Sequence, residues 1–254
     1  MRLRDKVIVV TGGTRGIGRG IAFNAASEGA TTVISGIDPV EGRQTAEDIA
    51  KATGATVYFL HGDLRSEEAC ERLIEVTAAR FGRIDGLVNN AGIFPRGTLL
   101  ETTEELYETI FAVNMKAPFF CSKYAIESMM RTGGGSIVHI GSIHGHKGSE
   151  DLAAYACSKG ALLTLNRHIA GNYGKYGIRS NWITVGWVAT EGELELHQSR
   201  GADLHELQEF ARTHIPSGSM QTAEDIAHGV IYLLSDQAAQ VTGSELKISG
   251  GLGV

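Results

Sequence analysis

The stretch "VIVVTGGTRGIGRGIA", residues 7–22, constrains the fold more than any other part of the chain. Four branched apolar residues run into a cluster of glycines, and a helix-like pattern follows at once. A buried strand that becomes a helix through a turn with so little side chain is a place where the backbone itself approaches something closely. Gly12, Gly16 and Gly18 stand in a G-x-x-x-G-x-G spacing. Without β-carbons there, amide N–H groups at a helix N-terminus reach a pyrophosphate, so the stretch reads as a nucleotide-phosphate cradle. A tight strand–helix turn with no ligand is the other reading of the glycines alone. No G-K-[ST] follows, so this is not a Walker-type P-loop, and the spacing departs from G-x-G-x-x-G.

Six further short apolar runs alternate with helix-length segments: "TTVISG" (31–36), "TVYFLHGD" (56–63), "IDGLVNN" (84–90), "GSIVHIGS" (135–142), "IRSNWITV" (178–185) and "SELKIS" (244–249). Runs with little polar alternation belong in a sheet covered on both faces, and right-handed crossovers between them make it parallel. The expectation is an α/β fold, a Rossmann-type doubly wound seven-stranded parallel sheet with helices on both faces. A chain of 254 residues with no repeat and no Pro-rich linker fits one dinucleotide-binding and catalytic domain over 1–254.

A formal net charge of −6 argues against a nucleic-acid partner, and no apolar run is long enough for a membrane span. "MRLRDK" leads into a strand and not into a signal-peptide core, so a cytoplasmic location is expected. Cys70, Cys121 and Cys157 are odd in number and widely spaced, which reads as three reduced packing residues. No H-E-x-x-H, H-x-x-E-H or paired-carboxylate spacing occurs, and no metal site is expected.

Chemistry enters with "YACSK", residues 155–159. Tyr155 and Lys159 are four apart and share a helix face, where an ammonium is expected to lower the phenol's pKa and make it an acid/base near neutrality. A solvated surface pair is the ordinary meaning of that spacing. Here it accompanies "NNAG" (89–92), "VNMK" around Asn114, and Ser142 at the end of a strand.

Together with "TGGTRGIG" (11–18), "GD" (62–63), "VGWVAT" (185–190) and "VTGSELKISGG" (241–251), these motifs resemble the short-chain dehydrogenase/reductase family along nearly the whole chain. The resemblance implies a catalytic set of Asn114, Ser142, Tyr155 and Lys159. Ser142 would orient the substrate oxygen, Tyr155 would exchange its proton, Lys159 would hold the nicotinamide ribose, and Asn114 would anchor a relay water. It implies cofactor contacts from Gly12, Thr14, Arg15, Gly16, Ile17 and Gly18, from Gly36, Asp63 and Leu64, from Asn90, Ala91 and Gly92, from Tyr155 and Lys159, and from Gly186, Val188 and Thr190. Asp63 would face the adenine. The family's quaternary habits imply a homotetramer, or failing that a dimer, through roughly 103–131, 152–175 and 243–248.

The chain departs from the family in three places. Val185-Gly186 replaces Pro-Gly after the sixth strand, which predicts a freer turn, and Ser219 and Ser249 replace an arginine and an aspartate. The resemblance implies NAD(P)(H) as the cofactor. Gly36 and Ile37 stand where an acid would bind ribose hydroxyls, and Arg15 tips the reading toward NADP(H), with Asp38 as the nearest candidate acid. His144, His146, Glu150 and Trp187 are candidate substrate contacts, alongside a charged helical flap over 191–214. Their polarity points to a small polar alcohol or ketone, such as a sugar or polyol. A 3-oxoacyl thioester reductase is the alternative enzyme, and a non-catalytic nucleotide-binding regulator is the alternative class.

Overall fold

The computed structural model describes residues 1–193 and 204–253. The strands are β1 (Val7–Val10), β2 (Thr31–Gly36), β3 (Val57–His61), β4 (Gly86–Asn89), β5 (Gly135–Ile140), β6 (Ile178–Val185) and β7 (Glu245–Ile248). They form one parallel sheet in the order β3-β2-β1-β4-β5-β6-β7. The helices are α1 (Gly16–Ser27), α2 (Pro39–Thr53), α3 (Glu67–Phe81), α4 (Glu104–Phe111), α5 (Ala117–Thr132), α6 (Ala153–Tyr173), α7 (Leu204–His214) and α8 (Ala223–Leu234).

Alternation within each strand sends side chains into two cores. Ile8, Val10, Ile34, Val88, Val138 and Ile183 pack with α1, α2 and α8. Val9, Val33, Leu87, Ile137 and Trp182 pack with α3, α5 and α6. The strand order reverses between β1 and β4, and a crevice for ligand lies beyond the carboxyl ends of the strands at such a point.

Local chemistry sets the helix starts. Pro39 opens α2 behind the Asp38 cap, Ser66 caps α3, Thr103 caps α4, and Thr222 with Asp225 forms a capping box on α8. The stretch expected as one long helix over 103–131 is broken by a π-helical turn, Ala112–Lys116, between α4 and α5. Cys70 and Cys121 are buried as expected, whereas Cys157 is exposed because it lies on the outward face of α6. Of the flap segment, α7 is described and 194–203 lies outside the described residues. Among the described residues no helix is long and apolar enough to cross a membrane.

Gly18 decides whether α1 can dock. A β-carbon there would lie 2.0 Å from the Gly12 carbonyl oxygen and 2.5 Å from the Asn90 amide nitrogen, neither of which can retreat without opening the turn. Gly18→Ala is therefore expected to lower stability in urea unfolding by about 1–3 kcal/mol or more. Gly171→Ala, in α6 with nothing near its missing β-carbon, is expected to raise it by about 0.5–1 kcal/mol.

Candidate active site

The glycine turn is held open at its ligand-facing side and closed everywhere else. Gly12 has φ of +60°, a left-handed conformation, and a β-carbon on it would press on Ala91 at 3.0 Å. The Thr11 hydroxyl donates to the Val88 carbonyl at 3.2 Å and accepts from the backbone N–H groups of Asn90 and Ala91, each at 3.0 Å. The Asn90 side chain donates to the carbonyls of Thr11 and Gly12 at 2.9 and 3.0 Å. Its amide nitrogen thus shapes the turn.

Unlike α2, α3, α4 and α8, helix α1 has no side-chain cap and no acid in its first turn, because Arg15 stands at the capping position. Its free N–H groups and positive dipole end face the crevice, and this fits a pyrophosphate. A β-carbon on Gly16 would lie 3.5 Å from the Thr190 methyl, so the loop after β6 borders the same turn from the other side. Ser35 lines a cleft of about 290 Å³ together with Leu60, His61, Gly62 and Leu64, and its buried hydroxyl has no partner among the described residues. A polar orphan in a cleft of mixed lining at the strand ends fits the adenosine half of a dinucleotide. Asp63 is paired with Arg65 at 2.5 Å at the mouth of the neighbouring open cleft.

The loop after β6 is braced without a proline. Gln221 donates its N–H to the Trp187 carbonyl at 3.0 Å, and its own carbonyl accepts from Ala189 at 2.9 Å. Gly186 sits against Ser249, whose α-carbon would lie 2.8 Å from a β-carbon at 186. The freer turn expected of Val185-Gly186 is thus countered by main-chain bonding to Gln221, far along the sequence. Val188 is buried in this brace.

The π turn places Asn114, fully buried, under the loop after β4. Its Oδ1 accepts from the Ile93 N–H at 2.9 Å, and its Nδ2 donates to the Ile93 carbonyl at 2.8 Å and to the Ser158 hydroxyl at 3.1 Å. Ser158 in turn donates to the Tyr155 carbonyl at 2.7 Å. Lys159, on the same helix, is buried and donates to the Ile140 carbonyl at 2.9 Å, with its nitrogen 5.7 Å from the centre of the Tyr155 ring. A β-carbon on Gly92 would stand 3.5 Å from Asn114 Oδ1 and 3.6 Å from Lys159 Nζ, so that loop closes directly over both.

Ser142, Tyr155 and Lys159 converge, but their electrostatics differ from the spacing argument. Burial raises the Tyr155 phenol above its ordinary range, the hydrogen bond from Ser142 pulls the other way, and the charge of Glu193 raises it further. The lowering expected from Lys159 is not found: burial sets the upward direction at Tyr155, and burial also pushes the Lys159 ammonium down to about 8.

The candidate substrate contacts separate into two groups. The His144 ring meets the Tyr155 ring edge-on, centres 6.3 Å apart, while the backbone N–H of His144 donates to the Ser142 hydroxyl at 3.1 Å. Its Nδ1 is buried without a partner among the described residues. Trp187 donates its indole N–H to Glu193 at 2.8 Å and packs edge-on against Phe210 of α7 at 5.6 Å. Phe94 completes the wall at 6.3 Å from Tyr155. His146 instead pairs with Glu245 at 2.8 Å and lies against Trp182, and Glu150 is exposed in the turn before α6. Trp182 occupies the space where β-carbons at Gly141 and Gly145 would stand, 2.0 and 3.0 Å away, and so supports the loop that carries Ser142 and His144.

Thr11, Phe94 and Glu193 did not emerge from the sequence as site residues. Thr11 lies within "TGGTRGIG", so the signal was present. Phe94 and Glu193 carry no local signature. Beneath the site the buried His139 receives the Asn89 amide at Nδ1, 3.3 Å away, and Asn89 also donates to Ser122 at 3.0 Å.

Residues 12–253 match the family described as "Enoyl-(Acyl carrier protein) reductase". The chain is 36% identical over 252 residues to 2-(S)-hydroxypropyl-CoM dehydrogenase 3 of Xanthobacter autotrophicus, covering 99% of this chain and 98% of that one. It is 36% identical over 259 residues to an L-rhamnose 1-dehydrogenase (NAD(P)(+)) of Azotobacter vinelandii, again covering 99% and 98%. The solved structure of a short-chain type dehydrogenase/reductase from Mycobacterium ulcerans has a TM-score of 0.91 at 27% identity, covering 99% of this chain and 90% of that chain.

His139 makes acid stability a readout of the buried layer under the site. Burial, and then the charge of Lys159, holds its pKa down to about 3 from an ordinary 6.5. In that window the unfolded chain binds a proton that the folded chain refuses. The stability is therefore complete above pH 6.5 and lost as pH falls toward 3, at up to about 1.4 kcal/mol per pH unit. Chemical denaturation at stepped pH is expected to show this arm, and His139→Asn is expected to flatten it, whatever the variant's stability at neutral pH.

Proposed function

We infer that this chain, which belongs to the short-chain dehydrogenase/reductase family, interconverts a secondary alcohol and its ketone on a small polar, hydroxyl-bearing substrate of the sugar or polyol kind. It is an NAD(P)-dependent oxidoreductase. The observation that carries the reading is the convergence of Ser142 and Tyr155, with Lys159 fixed behind them on the Ile140 carbonyl. The cradle of Gly12, Gly16 and Gly18, the open end of α1 and the loop from Gly186 to Thr190 would hold the dinucleotide, which supplies or accepts the hydride.

Hydride transfer leaves or removes charge on one oxygen, and a proton must follow it. In the reducing direction Tyr155, whose phenol is kept protonated by burial, donates its proton to the substrate oxygen. Ser142 orients that oxygen, and the Lys159 ammonium, still charged at neutral pH, stabilises the phenolate that remains. In the oxidising direction the same proton returns to Tyr155. Asn114 acts by position: it fixes the Ile93 backbone and Ser158, and with them the start of the catalytic helix.

The buried Nδ1 of His144, which has no partner among the described residues, supports the hydroxylated substrate class, with the bonded Trp187 and Glu193 beside it. A site lined by buried polar groups rejects analogues that leave those groups unpaired. A 3-oxoacyl thioester reductase is the second reading. A soluble cytoplasmic homotetramer of single-domain subunits accompanies the proposal, and the exposed Tyr107 and Phe119 on α4 and α5 support an interface there.

Tyr155→Phe is expected to cut kcat at least about a hundredfold while leaving cofactor binding intact, measured by absorbance at 340 nm and by titration. A variant keeping more than about a tenth of wild-type kcat overturns the assignment of the acid. His144→Ala is expected to raise KM for the preferred polyol or aldose several-fold and to spare cofactor Kd. Efficient turnover of an apolar ketone with none on any polyol or aldose would remove the substrate class. Light scattering is expected to report a tetramer at micromolar concentration, and a monomer overturns the assembly.

A further inference from the structure

Along the sequence the end of β2 lacks an acid, since Gly36 and Ile37 stand there and Arg15 is the charged residue of the facing turn. The fold brings one in from the next helix. Glu41, in the first turn of α2, accepts a hydrogen bond at Oε2 from the Thr14 hydroxyl at 2.8 Å. Thr14 lies directly on Gly36, where a β-carbon would come 2.6 Å from the Thr14 methyl, so the Glu41 carboxylate stands beside the end of β2.

The arrangement is built from both sides. Thr45, one turn further along α2, donates its hydroxyl to the Thr14 carbonyl at 2.9 Å, so α2 grips Thr14 at its hydroxyl and at its main chain. Asp38, the other nearby acid, accepts from the N–H groups of Val40 and Glu41 at 2.8 and 3.0 Å. It is thereby committed to capping α2, and the cap sets the direction in which Glu41 leaves the helix. Arg15 is exposed, and among the described residues it forms no ion pair. Both side chains are exposed and screened, but the Glu41 carboxylate is tied to the turn through Thr14, which fixes its position.

We propose that Glu41 selects the cofactor: its carboxylate accepts from the adenosine ribose hydroxyls and repels a 2′-phosphate, so that this chain prefers NAD(H) to NADP(H). Glu41 is 23 residues beyond Gly18, close to the distance at which an acid serves the ribose in dinucleotide-binding folds. Here the acid arrives from the helix and not from the strand end. The proposal reverses the preference that Arg15 alone implies, and it rests on the reading of this crevice as a dinucleotide site.

The test uses ligands that cannot react. Affinities of ADP-ribose and 2′-phospho-ADP-ribose are measured by isothermal titration for the wild type, Glu41→Gln and Arg15→Ala. The wild type is expected to bind ADP-ribose at least about tenfold more tightly, and Glu41→Gln, which keeps the size and the bond to Thr14, to shrink that ratio about tenfold by improving the phosphorylated ligand. The wild-type ratio is also expected to fall as salt is raised, which a purely structural role for Glu41 would not produce. Arg15→Ala is expected to leave the unphosphorylated ligand in front. A wild-type preference for the phosphorylated ligand, or a ratio untouched by Glu41→Gln, overturns this proposal alone. If neither ligand binds, the dinucleotide reading falls and the proposal with it.

Discussion

The hydroxyl of Thr11 spends its one proton on β4 and both lone pairs on the backbone that follows β4, and the working end of the molecule hangs from that junction. Through it the glycine turn and the "NNAG" loop become one body. From there the bonding continues without a gap: the loop's Ile93 is gripped on both sides by Asn114, Asn114 reaches Ser158, and Ser158 reaches the main chain of Tyr155. The glycine turn and Tyr155 are thus fixed relative to each other by a run of paired polar groups. Buried polar groups that are fully paired enforce one geometry, because any slippage leaves a partner unsatisfied in a place water does not reach. This is how a fold assembled from separate β–α units keeps two functional ends in register.

Burial then governs the reactive pair. The same desolvation raises Tyr155 and lowers Lys159, so the two groups are driven toward their neutral forms. Near neutral pH the phenol holds its proton and the amine is still largely charged, which is the arrangement that proton donation to a developing alkoxide requires. Glu193 adds its own charge from beyond β6, so the segment that ties Trp187 to Glu193 also bears on the phenol.

Features encoded within a few residues of each other were legible in the chain. The seven strands and their parallel arrangement followed from apolar runs separated by helix-length segments, whereas the glycine turn, Ser142 and the Tyr155–Lys159 pair, each ambiguous by spacing alone, gained their meaning from the joint pattern and the family it resembles. What escaped was created by contacts between distant segments. Glu41 gains its meaning from Thr14, 27 residues earlier; His146 turns away to Glu245 on β7; and Gln221 does for the loop at Gly186 what a proline would have done locally. The direction of the Tyr155 shift escaped for a related reason, because spacing shows which charges are near but not how much water has been removed. The π turn at Asn114 escaped because "AVNMK" has ordinary helical propensities, and the extra residue per turn is imposed by the buried partners it must reach.

The indole of Trp182 under Gly141 and Gly145 divides the loop after β5 into two parts with different freedom. Its first residues rest on the core of the sheet, while residues 147–150 are held by no comparable wedge. In evolutionary terms the molecule is modular at this point. A change of length or side chain beyond the wedge leaves the indole, and with it Ser142 and His144, where the core of the sheet sets them.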